Sequence, residues 1–177
     1  KWEYSQTHVY SVENPGTSYC KSIKGMFYLY KISNGEQIEV DVKHFNIYGL
    51  PPGTEKPLIW NVLPGYESRV EILEAQFERG PVIDSDGDLE ISDVSIASYV
   101  GGKKGLTVIV RNKSKKEAKN TAVWIQIYKG KKGIKNLLSV YSLKMSNIPS
   151  GQNKSLMIFT DVPKGAKITT YAVAVAD

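Results

Sequence analysis

Two stretches of the chain match each other without a gap at a spacing of 80 positions. Residues 25–49 read GMFYLYKISNGEQIEVDVKHFNIYG, and residues 105–129 read GLTVIVRNKSKKEAKNTAVWIQIYK. Identical or similar residues align, among them Gly25 with Gly105, Ile47 with Ile127 and Tyr48 with Tyr128. An internal repeat constrains the fold strongly, because each copy has to form the same unit. The spacing predicts two tandem copies of one β-domain, with residues 105–129 forming a hairpin around a lysine-rich loop.

Short strands separated by glycine and proline turns account for most of the remaining pattern. Residues 1–13 alternate between large and small polar side chains, as one extended strand does. The pair Asn34-Gly35 favours a tight hairpin, because both residues accept the positive φ of that turn. Pro64-Gly65 separates two further apolar runs, and helical periodicity is nearly absent. The sequence therefore predicts an all-β protein of two tandem immunoglobulin-like β-sandwiches with an extended N-terminal strand.

The limits of the predicted domains follow these turns. Residues 1–13 are the free N-terminal strand, 14–82 the first sandwich, 83–88 an acidic linker and 89–177 the second sandwich. The second copy ends in an apolar strand at residues 168–176, for which the sequence of the first copy offers no counterpart. The first sandwich is therefore predicted to be one strand short.

Charge is divided unevenly between the two halves of the chain, whose net charge is +5. Residues 1–81 hold 8 basic and 10 acidic residues, a net charge of −2. Residues 82–177 hold 15 basic and 8 acidic residues, a net charge of +7. The lysines of this half lie mainly between strands, as in solvated turns, and Arg111 is its one arginine. Arginine supplies the forked contacts that nucleic-acid recognition favours, so we expect no nucleic acid as a partner.

Other classes of protein are excluded by missing sequence features. No apolar run approaches the ~20 residues of a membrane span. Cys20 is the single cysteine, so an intrachain disulfide is impossible. His8 and His44 are the only histidines, and the chain has no hydrolase, metalloprotease or phosphate-loop motif, so we expect no enzymatic activity. The first residue is Lys1 rather than Met, as in a processed or trimmed product.

Two kinds of ligand or modification site are predicted. Asp84, Asp86 and Asp88 lie in one short run, and calcium prefers several carboxylates that converge in a tight turn. The run departs from the EF-hand loop because Leu89 replaces its required glycine, and a solvated linker between the domains is the alternative. Asn112 and Asn153 each begin an Asn-Lys-Ser sequon, so both are candidates for N-glycosylation.

The second half of the chain resembles the immunoglobulin-like surface domains of the CARDB and FxLyD type. The resemblance lies in the segments DLEISDVSIASY, TVIVRN, AVWIQIYKG, NIPSG and the closing YAVAV strand. It covers residues 88–177, and residues 14–82 are similar more weakly. Such domains are usually extracellular stalk, adhesion or assembly modules, so the resemblance implies that location and class of role. It supplies no catalytic residues.

The arrangement of a free N-terminal strand before an incomplete sandwich resembles that of donor-strand-assembled surface filaments, including archaeal threads and pili. This resemblance implies an extracellular homopolymer whose subunits join head to tail by donating the N-terminal strand. The predicted donor residues are Trp2, Tyr4, Gln6, His8, Tyr10 and Val12. Insertion of this strand into its own chain is the other arrangement. The alternative function is a monomeric module that binds carbohydrate or the cell envelope, with Trp60 or Trp124 stacking on sugar.

Overall fold

The structure is a computed structural model that describes residues 6–98 and 104–176. Strands make up 73% of it and helix 2%, which confirms the predicted all-β sandwich class. The chain divides into two compact units, Lys1–Phe77 and Glu78–Asp177, called unit 1 and unit 2 below. The N-terminal strand therefore belongs to unit 1, and the predicted acidic linker lies within unit 2.

The described part of unit 1 contains five strands, which are β1 (Gln6–Asn14), β2 (Tyr19–Ser33), β3 (Glu36–Leu50), β4 (Thr54–Val62) and β5 (Tyr66–Glu78). β1 pairs with β4 in a two-stranded antiparallel sheet, and the other sheet has the order β3-β2-β5. The predicted turn at Asn34-Gly35 joins β2 to β3, with positive φ angles of 53° and 82°.

A cluster of aromatic side chains forms part of the core of unit 1, beside aliphatic residues such as Ile47 and Leu50. The ring of Phe27 lies 4.7 Å from that of Phe45, 5.0 Å from that of Trp60 and 5.9 Å from that of Tyr10. These rings come from strands of both sheets, so Phe27 joins the two layers. Tilted aromatic pairs at such distances add about 0.5–1.5 kcal/mol each to the free energy of burial.

The residues of unit 2 that the structure describes form seven strands, which are β6 (Val82–Asp84), β7 (Leu89–Ser98), β8 (Lys104–Asn112), β9 (Ala118–Lys129), β10 (Leu137–Lys144), β11 (Asn153–Phe159) and β12 (Ala166–Ala176). A 3-10 turn at Ile134–Asn136 precedes β10. The sheets have the orders β10-β9-β12-β6 and β11-β8-β7. Alternate residues of β8, β9 and β12 face each other in an aliphatic core. The first, fourth, fifth and seventh strands share a sheet, so this strand order differs from that of a constant-type immunoglobulin domain.

The predicted hairpin at residues 105–129 is wrong. This stretch contains β8 and β9, which lie in different sheets of unit 2. Residues 25–49, in contrast, do form most of a hairpin, β2–β3. The spacing of 80 positions therefore aligns stretches that have different places in their units.

Candidate functional site

One buried asparagine fixes the end of β1. The side chain of Asn14 is 3% exposed. Its Nδ2 donates hydrogen bonds to the carbonyl oxygens of Ser18 and Leu50, each at 2.9 Å. Its Oδ1 accepts a hydrogen bond from the Gly16 amide at 3.1 Å, and its own carbonyl accepts one from Gly53 at 2.8 Å. We call this arrangement the asparagine clamp, because it ties the end of one strand to two turns.

Unit 2 contains the same clamp around Asn112, whose side chain is fully buried. Its Nδ2 donates to the carbonyl oxygens of Lys116 and Ile148, each at 2.8 Å. Its Oδ1 accepts from the Ser114 amide at 3.0 Å, and its carbonyl accepts from Gly151 at 2.8 Å. Each partner lies 98 positions after its counterpart in unit 1. Residues 98 positions apart therefore occupy equivalent places in the two units, whereas residues 80 positions apart do not.

The clamps establish which strands correspond. β1 corresponds to β8 and β4 to β11, and both pairs are antiparallel neighbours. β2, β3 and β5 correspond to β9, β10 and β12 and have the same neighbours. The strands of unit 2 without a counterpart in the described part of unit 1 are β6 and β7. Among the described residues, unit 1 therefore has two strands fewer than unit 2, and they are the first two, whereas the sequence predicts that one strand is missing at the end.

This deficit leaves two sheet edges of unit 1 open. In unit 2, β8 pairs with β7 on one side and β11 on the other, and β12 pairs with β9 and β6. Among the described residues, β1 pairs with β4 alone and β5 with β2 alone. Unpaired strand edges present free backbone donors and acceptors, which is the geometry that strand addition uses.

Apolar side chains are exposed where these strands are absent. Residues 172–176 of β12 are at most 7% exposed, and this part of β12 pairs with β6. A turn with a positive-φ glycine precedes β5 at Gly65 and β12 at Gly165, so these two strands align at a spacing of 100 positions, two more than the spacing of the clamps. In β5, Ile72 is 47%, Leu73 52% and Phe77 55% exposed. The open edge of β5 is therefore also an apolar surface.

The predicted donor residues fall into two groups. Trp2 and Tyr4 lie outside the described residues. Gln6, His8, Tyr10 and Val12 lie in β1, which pairs with β4 of its own chain over nine residues. Gln6 is exposed, whereas the other three share the inward face that alternation predicts.

A polar cluster within unit 1 was not predicted from the sequence. The hydroxyl of Ser68 in β5 is within hydrogen-bonding distance of His8 Nδ1 and of the Tyr10 hydroxyl in β1. The residues of β8 that correspond to His8 and Tyr10 are Leu106 and Val108, both fully buried. Polar side chains are tolerated in unit 1 because this part of its interior is only partly buried.

The two glycosylation candidates have opposite environments. Asn112 is inaccessible to glycosylation in the folded chain, because its buried amide nitrogen already donates two hydrogen bonds, so the geometry does not support this prediction. Asn153 is exposed at the start of β11, so glycosylation there stays a prediction. The sequon pattern cannot separate the two, since burial depends on the surrounding fold.

The acidic loop has a structural role in unit 2. Asp84 Oδ1 accepts a hydrogen bond from the Asp86 amide at 3.0 Å, and its Oδ2 accepts one from the Tyr171 hydroxyl at 2.9 Å. Burial, and then the bond to Asp84, raise the pKa of Tyr171 well above its ordinary value. In the part of the chain that the structure describes, no three His, Cys, Asp or Glu residues lie close enough to share a metal ion. Calcium binding by Asp84, Asp86 and Asp88 stays a prediction that the geometry does not support.

The tryptophans proposed to stack on sugar are buried. Trp60 is 8% exposed and contacts Phe27, and Trp124 is 2% exposed in β9. Neither ring offers the free face that sugar stacking requires.

Across the described ranges, no helix has both the length and the apolar composition to cross a bilayer.

Comparison with models of known families and with curated proteins found no match. Among solved structures, the chain is similar to a transglutaminase of red sea bream, with a TM-score of 0.33 and 10% identity. The match covers 97% of this chain and 29% of that protein, so the chain spans less than a third of its length. A similarity at this level carries no conclusion about function.

Proposed function

We propose that the chain is an extracellular structural protein, the subunit of a surface filament in which β1 of one copy pairs with β4 of the next. The observation that supports this proposal is the single partner of β1. Its counterpart β8 is held by two neighbouring strands, whereas β1 is held by β4 alone among the described residues. A strand with one partner loses one ladder of hydrogen bonds when it leaves its sheet, rather than two.

Exchange of β1 between copies preserves the contacts it makes within one chain. The register from Gln6 with Val62 to Asn14 with Thr54 is the same in both arrangements. Exchange therefore costs little apart from the entropy of association, and higher protein concentration favours it. Because the donor strand β1 and the acceptor strand β4 are different elements, their pairing between copies is heterologous, and it propagates as a filament when each copy donates to the next rather than back to its own donor.

The charges of the two halves of the chain are compatible with head-to-tail association. Residues 1–81 have a net charge of −2 and residues 82–177 a net charge of +7. Opposite charges orient approaching subunits and raise the rate of association more than the final affinity. Filament growth is therefore expected to slow at high salt, where the Debye length falls to about 3 Å at 1 M.

Deletion of residues 1–12 is expected to abolish the filaments, because the acceptor β4 then receives no donor strand. The measurement is negative-stain electron microscopy of the full chain and the deleted chain over a range of concentrations. Adding a synthetic peptide of residues 1–14 to the deleted chain restores its fold and gives soluble monomers, since the peptide is not linked to a second subunit. A matched control is Thr7→Ser, a conservative change at an exposed position of β1.

Two results contradict the proposal. The full chain stays monomeric at every concentration, or the deleted chain forms the same filaments as the full chain. The experiment with the added peptide separates loss of assembly from loss of folding. If the deleted chain recovers its circular dichroism spectrum with the peptide and still forms no filaments, the missing link between subunits, rather than unfolding, explains the loss of assembly.

A further inference from the structure

We infer that the open outer edge of β1 accepts one further β-strand, from an extended segment that places a lysine or arginine beside Glu13. This edge is the one that β7 covers on β8 in unit 2. The inference goes beyond the proposed function, because it concerns the side of β1 that does not face β4. It holds whether β1 pairs with β4 of its own chain or of another copy.

The outer edge of β4 is a poorer acceptor than that of β1. β4 contains Pro57, which has no amide hydrogen to donate, and Lys56 beside it. Proline and lysine are features by which edge strands resist further pairing. β1 has no proline or lysine between Gln6 and Asn14. Strand addition to the two-stranded sheet is therefore directed to β1.

The charge of the partner strand follows from one row of cross-strand residues. In unit 2, Arg111 of β8 is in register with Asn153 of β11 on one side and Glu90 of β7 on the other. The corresponding row in unit 1 has Glu13 of β1 in register with Glu55 of β4, and its third position is empty. In unit 2, the strand β7 thus places the acidic Glu90 opposite the basic Arg111 of β8.

The row of unit 1 lacks a cation. Like charges directly opposite each other destabilise a strand pair, and an opposite charge in the adjacent position offsets this repulsion. Both Glu13 and Glu55 are exposed, and Glu13 makes no ion pair within the described residues. A basic residue on the added strand therefore matches this row, whereas the acidic residue found in β7 does not.

A second row of cross-strand residues, that of Val9 and Ile59, predicts an apolar residue on the added strand. Val9 lies on the same outward face of β1, four residues before Glu13, and is 43% exposed. Its partner in β4 is Ile59. The corresponding Thr107 of β8 is in register with Ser95 of β7. The strand that fits unit 1 therefore carries an apolar residue where β7 has serine, in addition to its basic residue.

Two ten-residue peptides test the charge preference on the full-length chain. One is the β7 sequence LEISDVSIAS, and the other, LKISDVSIAS, carries the change Glu90→Lys. Binding is measured by isothermal titration calorimetry, and the binding edge is located by hydrogen exchange of the β1 amides. We expect the lysine peptide to bind about fivefold more tightly, as estimated for one cross-strand charge pair.

The variant Glu13→Arg reproduces the residue of β8 and is expected to reverse the preference. The matched control Glu36→Arg makes the same charge change on an exposed residue of β3, in the other sheet, and keeps the preference for lysine. Reversal by Glu13→Arg alone, with new protection of β1, supports the inference. Equal binding of both peptides, an unchanged preference in Glu13→Arg, or no binding at millimolar concentration overturns it.

The same samples separate this inference from the filament proposal. If the chain never forms filaments yet shows the reversal, strand addition to β1 stands and the filament proposal fails alone. If filaments form and neither peptide binds, the inference fails while the filament proposal stands.

Discussion

Replacing Asn112 by aspartate is expected to lower the free energy of unfolding of unit 2 by about 4 kcal/mol or more. The substitution keeps the shape of the side chain but removes both hydrogen bonds that Nδ2 donates, to Lys116 and Ile148. It also places a carboxylate against two carbonyl oxygens at a fully buried position. Since single domains are stable by only about 5–15 kcal/mol, unit 2 is expected to be close to unfolding.

The pH dependence of this variant distinguishes the buried charge from a general loss of packing. Burial against two carbonyl oxygens raises the pKa of the new aspartate in the folded state above its unfolded value. The folded state then holds the proton more tightly, so stability falls as pH rises above the unfolded pKa of about 3.9. Urea denaturation of the variant is therefore expected to show a smaller loss of stability at pH 3 than at pH 7.

Asn153→Asp is the matched control, because it makes the same change at an exposed position of unit 2. We expect its free energy of unfolding to stay within about 0.5 kcal/mol of the parent chain. A loss of less than about 1 kcal/mol for Asn112→Asp would show that the clamp does not hold the β8 turn.

Replacing Gly25 by valine is expected to cost unit 1 about 3 kcal/mol or to prevent its folding. A Cβ atom at position 25 would lie 2.3 Å from Cζ of Phe45 and 2.5 Å from the backbone oxygen of Glu71. Phe45 is the cross-strand partner of Gly25 in β3, so its ring occupies the space that the missing side chain leaves. The ring can shift, but the Glu71 oxygen belongs to the backbone of β5.

The corresponding pair in unit 2 suggests a partial rescue. There, Val123 is in register with Leu143 rather than glycine with phenylalanine. We expect the double variant Gly25→Val/Phe45→Leu to recover at least about 1 kcal/mol, because the clash with the ring is removed. Gly87→Ala is the control, since a Cβ there meets its nearest atom at 3.9 Å. Thermal unfolding without a loss in Gly25→Val would mean that β2 and β5 are farther apart than described.

The sequence predicts the strands of this protein well and their correspondence poorly. Turns at Asn34-Gly35 and Pro64-Gly65 are local, so their residue preferences predict the structure around them. The match between Gly25 and Gly105 is misleading, because the two glycines lie in strands that do not correspond. Gly25 lies opposite Phe45 in the β2–β3 pair, whereas Gly105 lies in β8 between Ala97 of β7 and Phe159 of β11. The spacing of 98 positions depends on Asn14 and Asn112, whose roles appear only when distant turns come together.

In the candidate site, too, the local pattern is predictable from the sequence and the contacts between distant segments are not. Alternation in residues 1–13 predicts that His8, Tyr10 and Val12 share a face, and the structure places them on the inward face of β1. The open edge could not be predicted, since it depends on which strand each segment pairs with. Glu13 and Glu55 lie far apart in the sequence, and only the register of β1 with β4 places the two residues opposite each other.

Hydrogen exchange of the backbone amides in the dilute chain tests the central claim most directly, namely that residues 6–77 of unit 1 contain no equivalents of the two strands that cover β8 and β12. In an antiparallel strand, the amides point alternately to the two sides. When one side has no neighbouring strand, the amides on that side lack a ladder hydrogen bond and exchange faster than the amides bonded to the neighbour. The account predicts that alternate amides of Gln6–Asn14 exchange at least about tenfold faster than the amides between them, whereas Lys104–Asn112 is protected on both sides. Uniform protection along β1, equal to that of β8, would contradict it.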